Sequence, residues 1–270
     1  MRRSPRSVGG RDIQSFRFSA TGKRREQKIV VFDDSIGRDQ WAEILAECRG
    51  HILCELPLVN AVLVLVDDDE IADVQALASS RSGVVRVEDD IDIELAHELG
   101  KVSWSPRFRE DIPWGVKRVN IGDANQTGAG VNVGILDTGI DQRHPDLSRN
   151  VKGGYSAIPG IESASDDNGH GTHVAGTIAA ADNQIGIIGV APNVQLYSVK
   201  AFDKKGNGQV SDIIEALDWC VKKRVDVINM SFGLNEESQA FHRAIKQVYR
   251  RDIVMVAAAG NSGRSDSVMY

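Results

Sequence analysis

Short, mainly apolar runs alternate with helical patterns between residues 131 and 259, and this alternation limits the fold more than any other feature. The apolar runs, each suited to a buried strand, are 131–136, 195–199, 225–230 and 253–259. The segments with helical periodicity are 171–181, 211–222 and 238–249. Strands without a polar face need helices on both sides of their sheet. We therefore predict an α/β domain with a doubly wound, mainly parallel sheet.

A different pattern precedes this domain, between residues 28 and 95. Apolar runs that predict strands occupy 28–32, 52–59, 61–66 and 84–88, and helical patterns occupy 39–49 and 71–79. The resulting order β-α-β-β-α-β is that of the ferredoxin-like unit. We predict a small α+β domain at 28–95, a linker at 96–112, and the α/β domain at 113–270.

The N-terminus is strongly basic. Residues 1–28 contain nine Lys or Arg against Asp12 and Glu26, a net charge of 9 − 2 = +7, whereas the whole chain has −6. Such a segment predicts a solvated, disordered tail over residues 1–27. The alternative is a mis-assigned start codon. The tail has no apolar stretch that could serve as the core of a secretion signal.

Composition excludes several classes of function. The net charge of −6 argues against a dedicated nucleic-acid binder. No apolar run approaches the roughly 18 residues of a membrane helix, so we expect no membrane span. We also expect a monomer in solution. Three cysteines, Cys48, Cys54 and Cys220, form no disulfide framework or metal spacing. Free thiols favour a reducing, cytoplasmic location.

Three polar residues stand at predicted strand ends or helix starts. Asp137 follows a buried strand directly, and its alternative role is to cap a turn. His170 lies between two glycines at a helix start, where it could act as a general base. Asn261 follows the last apolar run and could donate hydrogen bonds to an oxyanion, or could be a turn residue. A zinc site at His170 and His173 lacks the glutamate of the H-E-x-x-H pattern.

The surrounding residues resemble the signature blocks of the subtilisin (subtilase) family. The blocks are 137–141, 144–147, 170–177 and 257–261, and the resemblance runs from about 110 to 270. It implies a serine endopeptidase in which Asp137 orients His170, His170 moves the proton, and Asn261 binds the oxyanion. It also implies a substrate-binding cleft for a polypeptide, formed by Gly206, Asn207, Gly208, Ser231, Phe232, Gly233, Ala258 and Gly260.

The resemblance further implies a structural calcium ion and a propeptide. The matching calcium ligands are Asp146, Asn183 and the carbonyls of Ala181, Ile185 and Ile187, with Glu110 as a looser candidate. Residues 28–95 resemble the inhibitory propeptide that folds in cis with the enzyme. Its tail, 91–97, would lie in the cleft, with processing near Ala96. Subtilases are often secreted, whereas the free thiols favour a cytoplasmic location, so the two lines of inference predict different locations.

One expected element is missing from the sequence. The family's Gly-Thr-Ser-Met-Ala block, which holds the nucleophile, does not occur, and neither Ser231 nor Ser262 stands in such a context. We therefore expect a C-terminally truncated zymogen with an incomplete sheet, in which residues 1–270 are inactive. Two alternatives are a serine-free pseudoprotease that binds peptides and a dinucleotide-binding oxidoreductase suggested by Gly128 and Gly130. Those glycines precede the strand, whereas a dinucleotide fingerprint must follow it.

Overall fold

The computed structural model describes residues 24–46, 50–79, 83–95, 110–119 and 127–261. Most of the predicted tail, most of the predicted linker with Ala96, and Ser262 lie outside these residues. None of the helices in the described ranges has the length and apolar character that a bilayer crossing requires.

The predicted ferredoxin-like unit is confirmed. Its elements are β1 (Arg25–Phe32), α1 (Arg38–Ala46), β2 (His51–Leu56), β3 (Ala61–Asp67), α2 (Ile71–Leu77) and β4 (Val84–Asp89). The four strands form an antiparallel sheet in the order β2-β3-β1-β4.

Two boundaries of this unit differ from the sequence-based prediction. β1 begins at Arg25, earlier than the predicted strand start at residue 28, because Arg25 pairs in register with Asp67 and its Nε lies 2.8 Å from Asp67 Oδ1. β2 ends at Leu56 and not at residue 59. Pro57 has no N–H for the strand ladder, and Pro57–Val59 forms a 3₁₀ turn instead.

The sheet of this unit is buried on both faces. Val30, Val62 and Val64 point towards α1 and α2 and pack with Trp41 and Val74. The alternate residues of β1 and β3, which include Ile29, Val31 and Leu63, join the core of the following domain. The small unit therefore obtains much of its apolar burial from its neighbour, as a domain of this size requires.

The second domain contains the predicted parallel α/β sheet, and its fold class is confirmed. Its five sheet strands are β6 (Asn132–Asp137), β7 (Val151–Ser156), β8 (Gln195–Lys200), β10 (Val227–Met230) and β11 (Val254–Ala257), ordered β11-β10-β6-β8-β7 and all parallel. The helices are α3 (Trp114–Arg118), α4 (His170–Ala179), α5 (Val210–Lys223) and α6 (Gln239–Tyr249).

Helices cover both faces of the sheet, because the central strand is apolar in both directions. Val133 and Ile135 of β6 pack with the small residues Ala175 and Ala179 of α4. Leu136 faces the other way, into the core formed with α5 and α6. At the edge of the sheet, Val254 and Val256 of β11 remain 58% and 50% exposed.

Two further strands lie outside the main sheet and were not predicted. β5 (Asp92–Glu94) belongs to the tail of the first domain, and β9 (Asn207–Gln209) precedes α5. They pair with each other in an antiparallel ribbon. Elements of the first domain thus contact the second. β5 pairs with β9, and the 3₁₀ turn at Pro57–Val59 packs against α5 and α6.

Candidate functional site

Three predicted site residues follow neighbouring strands at one edge of the parallel sheet. Asp137 is the last residue of β6, Ser231 directly follows β10, and Asn261 comes after β11. Because these strands are parallel, their carboxyl ends share one edge. Ligands of open α/β sheets bind at this edge.

Asp137 and His170 are in direct contact. His170 Nδ1 lies 2.8 Å from Asp137 Oδ1 and 2.9 Å from Oδ2. Asp137 is fully buried, and His170 is only 8% exposed. An ionised carboxylate can only accept hydrogen bonds, so the ring proton belongs on Nδ1. The neutral ring then carries an unprotonated Nε2, which is the atom that a general base uses.

The pKa of His170 is raised above its ordinary value. The hydrogen bond to Asp137 is the largest cause, burial opposes it, and the negative charges of Asp137 and Asp166 add to the rise. The environment therefore favours the imidazolium that forms whenever the ring accepts a proton.

The chain turns sharply into α4 just before His170. Gly169 has φ = 112°, which costs glycine nothing. Asn168 Oδ1 then accepts a hydrogen bond from the His170 N–H at 3.1 Å. The next residue, Gly171, packs so closely on the turn after β6 that an added Cβ would lie under 3.0 Å from the Gly139 carbonyl oxygen. This close approach brings the imidazole to Asp137.

The predicted substrate-binding segment at Gly206–Gly208 is paired with an extended strand of the same chain, β5. β5 pairs with β9 so that Ile93 is opposite Gly208 and Glu94 is opposite Asn207. Leu95 N also donates to the Gly206 carbonyl at 3.1 Å. The main chain of the first domain's tail is therefore bound by strand addition, the mode expected for a peptide.

The second predicted segment lies on the other side of this tail. Leu95 forms an antiparallel bridge with Phe232, the middle residue of the predicted segment Ser231–Gly233. The Phe232 ring is buried and packs against Phe202 at 5.1 Å between ring centroids. The tail thus enters between the two segments that the resemblance assigned to substrate.

The remaining predicted residues of the cleft follow β11. Ala258 N donates to the Met230 carbonyl at 3.1 Å, which extends the pairing with β10 beyond the strand. Gly260 has φ = 84°, and Asn261 comes next at the exposed surface. His173 lies one turn along α4 from His170 and is exposed.

Two carboxylates of the first domain bind helix starts in the second. Glu88 Oε1 accepts hydrogen bonds from Ser238 Oγ at 2.6 Å and Ala240 N at 3.1 Å, at the start of α6. Asp90 accepts from Ser211 N at 2.9 Å and Ser211 Oγ at 2.7 Å, at the start of α5. Burial raises the pKa of Asp90 to about 6, although the bonds from Ser211 favour its ionised form.

The predicted calcium residues lie around one buried carboxylate. Asp146 Oδ1 accepts from Asn183 Nδ2 at 3.2 Å, and Oδ2 accepts from Ile187 N at 3.2 Å. Glu110 Oε1 accepts from Asn183 N at 2.8 Å and Gln184 N at 3.1 Å, so this carboxylate lies against the same loop.

The loop at 181–187 packs closely on the Asp146 carboxylate. An added Cβ on Gly186 would lie under 3.0 Å from Asp146 Oδ2. Carboxylate, amide and carbonyl oxygens are the ligands that suit Ca²⁺. The residues therefore fit a hard cation. In the described part of the chain, no three His, Cys, Asp or Glu side chains cluster in a way that could hold a metal by themselves.

Sequence reasoning missed two charged residues beside the Asp137–His170 pair. Lys200 is fully buried, and its Nζ donates to the Thr138 carbonyl at 2.6 Å and to Asp167 Oδ1 at 2.6 Å. Asp166 accepts hydrogen bonds from both Thr138 and Thr172. The available signals were a lysine ending an otherwise buried strand and an acidic pair shortly before His170.

Comparisons with known proteins agree with this fold. The model of the subtilase family matches residues 128–270. The chain is 38% identical over 256 residues to an alkaline protease of Alkalihalobacillus alcalophilus, covering 93% of this chain and 65% of that protein. It is 36% identical over 257 residues to subtilisin E of Bacillus subtilis, covering 92% and 63% respectively.

A solved structure shares the fold. Fervidolysin from Fervidobacterium pennivorans, described as a keratinolytic enzyme related to subtilisin, matches 92% of this chain and 41% of its own with a TM-score of 0.72. At 24% identity this likeness shows the fold alone. The chain spans about 65% of the length of the alkaline protease that it matches.

The fold and site define an α/β protein with an aspartate-oriented histidine at the carboxyl edge of its parallel sheet. More specifically, the chain belongs to the subtilase family of serine proteases.

Proposed function

We propose that this protein is the precursor of a subtilisin-like serine endopeptidase that cleaves polypeptides. The observation that carries the proposal is the buried contact between His170 Nδ1 and Asp137, at 2.8 and 2.9 Å from its two oxygens. It lies at the same sheet edge as two segments suited to bind an extended peptide.

The three polar residues take separate roles in this proposal. Asp137 holds the ring of His170 and stabilises its charged form. His170 takes the proton from a serine hydroxyl as the serine attacks the peptide carbonyl, and then gives it to the leaving amine. Asn261 donates a hydrogen bond to the oxyanion, an interaction worth about 10²–10³ in rate.

The nucleophile decides whether the chain can complete this reaction. No Gly-Thr-Ser block occurs in residues 1–270, and without a serine the pair has nothing to activate. We expect purified residues 1–270 to hydrolyse casein no faster than buffer. Hydrolysis that a serine-directed inhibitor blocks and that His170→Ala abolishes would contradict this expectation.

Reading the coding frame beyond the codon for Tyr270 tests the proposal itself. A frame that continues into a serine block should encode a product that hydrolyses casein, with His170→Ala as the inactive control. A stop codon directly after Tyr270 would refute the proposed protease activity. Peptide binding in the cleft would then be the function to study.

The first domain is proposed to be an inhibitory propeptide bound in cis. Its support is the pairing of β5 with β9 and the hydrogen bonds of Glu88 and Asp90 to helix starts. The tail would lie in the cleft as a cleavage product does, with processing near Ala96. In an active product, mass spectrometry should find the chain shortened from its N-terminus, whereas His170→Ala should keep residues 28–95 attached.

A structural calcium ion is proposed at the loop around Asp146. Asp146, Asn183 and the carbonyls of Ala181, Ile185 and Ile187 would hold it, with Glu110 beside them. The support is the buried Asp146 carboxylate and the oxygen-rich loop that surrounds it. Bound there, Ca²⁺ would tie residue 110 and the Asp146 turn to the end of α4.

Calcium is expected to stabilise residues 1–270 against unfolding. At a free Ca²⁺ concentration of 100 times its Kd, the free energy of unfolding should rise by about 2.7 kcal/mol. Urea titrations with calcium or with a chelator measure this difference. Asp146→Asn should remove it, and Asp182→Asn, at an exposed residue of the same loop, should keep it. Equal responses of the two variants to calcium would refute the site.

A further inference from the structure

We propose that Asp166 is a positioning residue for the Asp137–His170 pair: one carboxylate holds the strand end that carries Asp137 and the helix start that carries His170. This inference rests on the proposed function. Asp166 lies before α4, is half-buried, and is not itself one of the two residues in contact.

The two oxygens of Asp166 bind different parts of the site. Oδ1 accepts from Thr138 Oγ1 at 2.8 Å and from the N–H groups of Asn168 and Gly169 at 3.0 and 2.9 Å. Oδ2 accepts from Thr172 N at 3.0 Å and Thr172 Oγ1 at 2.6 Å. Asp166 therefore accepts five hydrogen bonds, and three of them come from main-chain N–H groups on both sides of His170.

Thr138 extends this arrangement to Asp137. Its hydroxyl donates to Asp166 and accepts from Gly171 N at 3.0 Å, in the first turn of α4. Its own N–H donates to Asp137 Oδ1 at 2.7 Å. The buried Thr138 is thus bonded to Asp166, to the helix that carries the imidazole, and to the carboxylate that the imidazole contacts.

Charge adds a second effect. Burial acts to raise the pKa of Asp166, but the hydrogen bonds that it accepts from Thr172, Gly169 and Asn168 together outweigh burial and lower this pKa. Asp166 is therefore ionised at neutral pH, and its charge adds to that of Asp137 in favouring protonated His170. Other charged groups also lie beside this network. Lys200 and Asp167 pair with each other at 2.6 Å, and the N–H of Asp141 donates to Thr172 Oγ1 at 2.9 Å.

The inference predicts a change at His170 when Asp166 is replaced. In residues 1–270, Asp166→Asn keeps the side-chain shape but removes the charge and part of the hydrogen bonding. NMR should show a lower titration midpoint for His170 and a broadened or lost low-field signal from its Nδ1 proton. Glu162→Gln, which removes an exposed carboxylate from the same loop, should change neither.

Two further variants separate the possible outcomes. If Asp137→Asn lowers the His170 midpoint but Asp166→Asn leaves both readouts at wild-type values, the role of Asp166 is overturned and the proposed pair stands. If Asp137→Asn also leaves the midpoint unchanged, the proposed function itself fails. Should Asp166→Asn not fold, Thr138→Val keeps the charge and removes the hydroxyl. It should broaden the Nδ1 signal, and an unchanged signal would overturn the inference.

Discussion

Replacing Asp137 by asparagine is expected to lower kcat about 10⁴-fold in any form of the proposed protease that includes a serine nucleophile. The amide can present an N–H group to His170 Nδ1, which favours the wrong ring tautomer. It also lacks the charge that stabilises the imidazolium. Initial rates on a chromogenic peptide measure the loss.

A matched control is available four residues along the chain. Asp141 Oδ1 accepts a hydrogen bond from Arg143 N at 2.9 Å and so stabilises its own turn. Asp141→Asn should therefore keep most of the activity. A loss of similar size in both variants would mean that Asp137 acts only through the stability of this segment.

The same substitution has a pH-dependent effect that residues 1–270 can reveal without a nucleophile. The pKa of His170 is raised in the folded state, mainly by its hydrogen bond to Asp137. The stability from this rise is fully present below the pKa of the unfolded chain and is lost as pH rises through the folded pKa. Asp137→Asn should therefore reduce the free energy of unfolding more at pH 5 than at pH 8. An equal reduction at both values would argue against the ion pair.

Periodicity was enough to predict the sheet, since its central strands are apolar on both faces. It was not enough for β7, whose sequence Val-Lys-Gly-Gly-Tyr-Ser has little strand character and which pairs at the edge beside β8. It also missed β5, a strand of only Asp92–Glu94, because its partner β9 is far away along the chain. Such short strands are formed by tertiary contacts and not by local preference.

The candidate site likewise contains residues that the local sequence predicts and residues whose contacts depend on the tertiary fold. Asp137 and His170 could be predicted because each stands in a distinctive local sequence. The roles of Asp166 and Lys200 depend on which groups the fold brings to them, and both meet at Thr138. Nothing in the local sequence distinguishes Glu88 and Asp90 from surface carboxylates. Their hydrogen-bond donors are at the starts of α6 and α5, far away along the chain.

Replacing Gly171 by alanine is expected to cost about 3 kcal/mol in free energy of unfolding. The added methyl group would lie under 3.0 Å from the Gly139 carbonyl and 3.1 Å from the Cβ and Oδ1 atoms of Asp137. The two Asp137 atoms belong to the buried end of β6 and the Gly139 oxygen to the buried turn that follows it, and packing holds both in place. The helix must therefore move away from the sheet, and the low-field NMR signal of His170 should be lost with it.

The same helix provides the control. At Gly176, an added Cβ would have Ile187 Cδ1 as its nearest neighbour at 4.0 Å. Gly176→Ala should leave the His170 signal intact and raise the free energy of unfolding by about 0.5–1 kcal/mol, because alanine is the better helix former. Urea midpoints that shift in the same direction for both variants would contradict this explanation. Opposite shifts would show that Gly171 is needed for the closeness of α4 to β6, on which the contact between His170 and Asp137 depends.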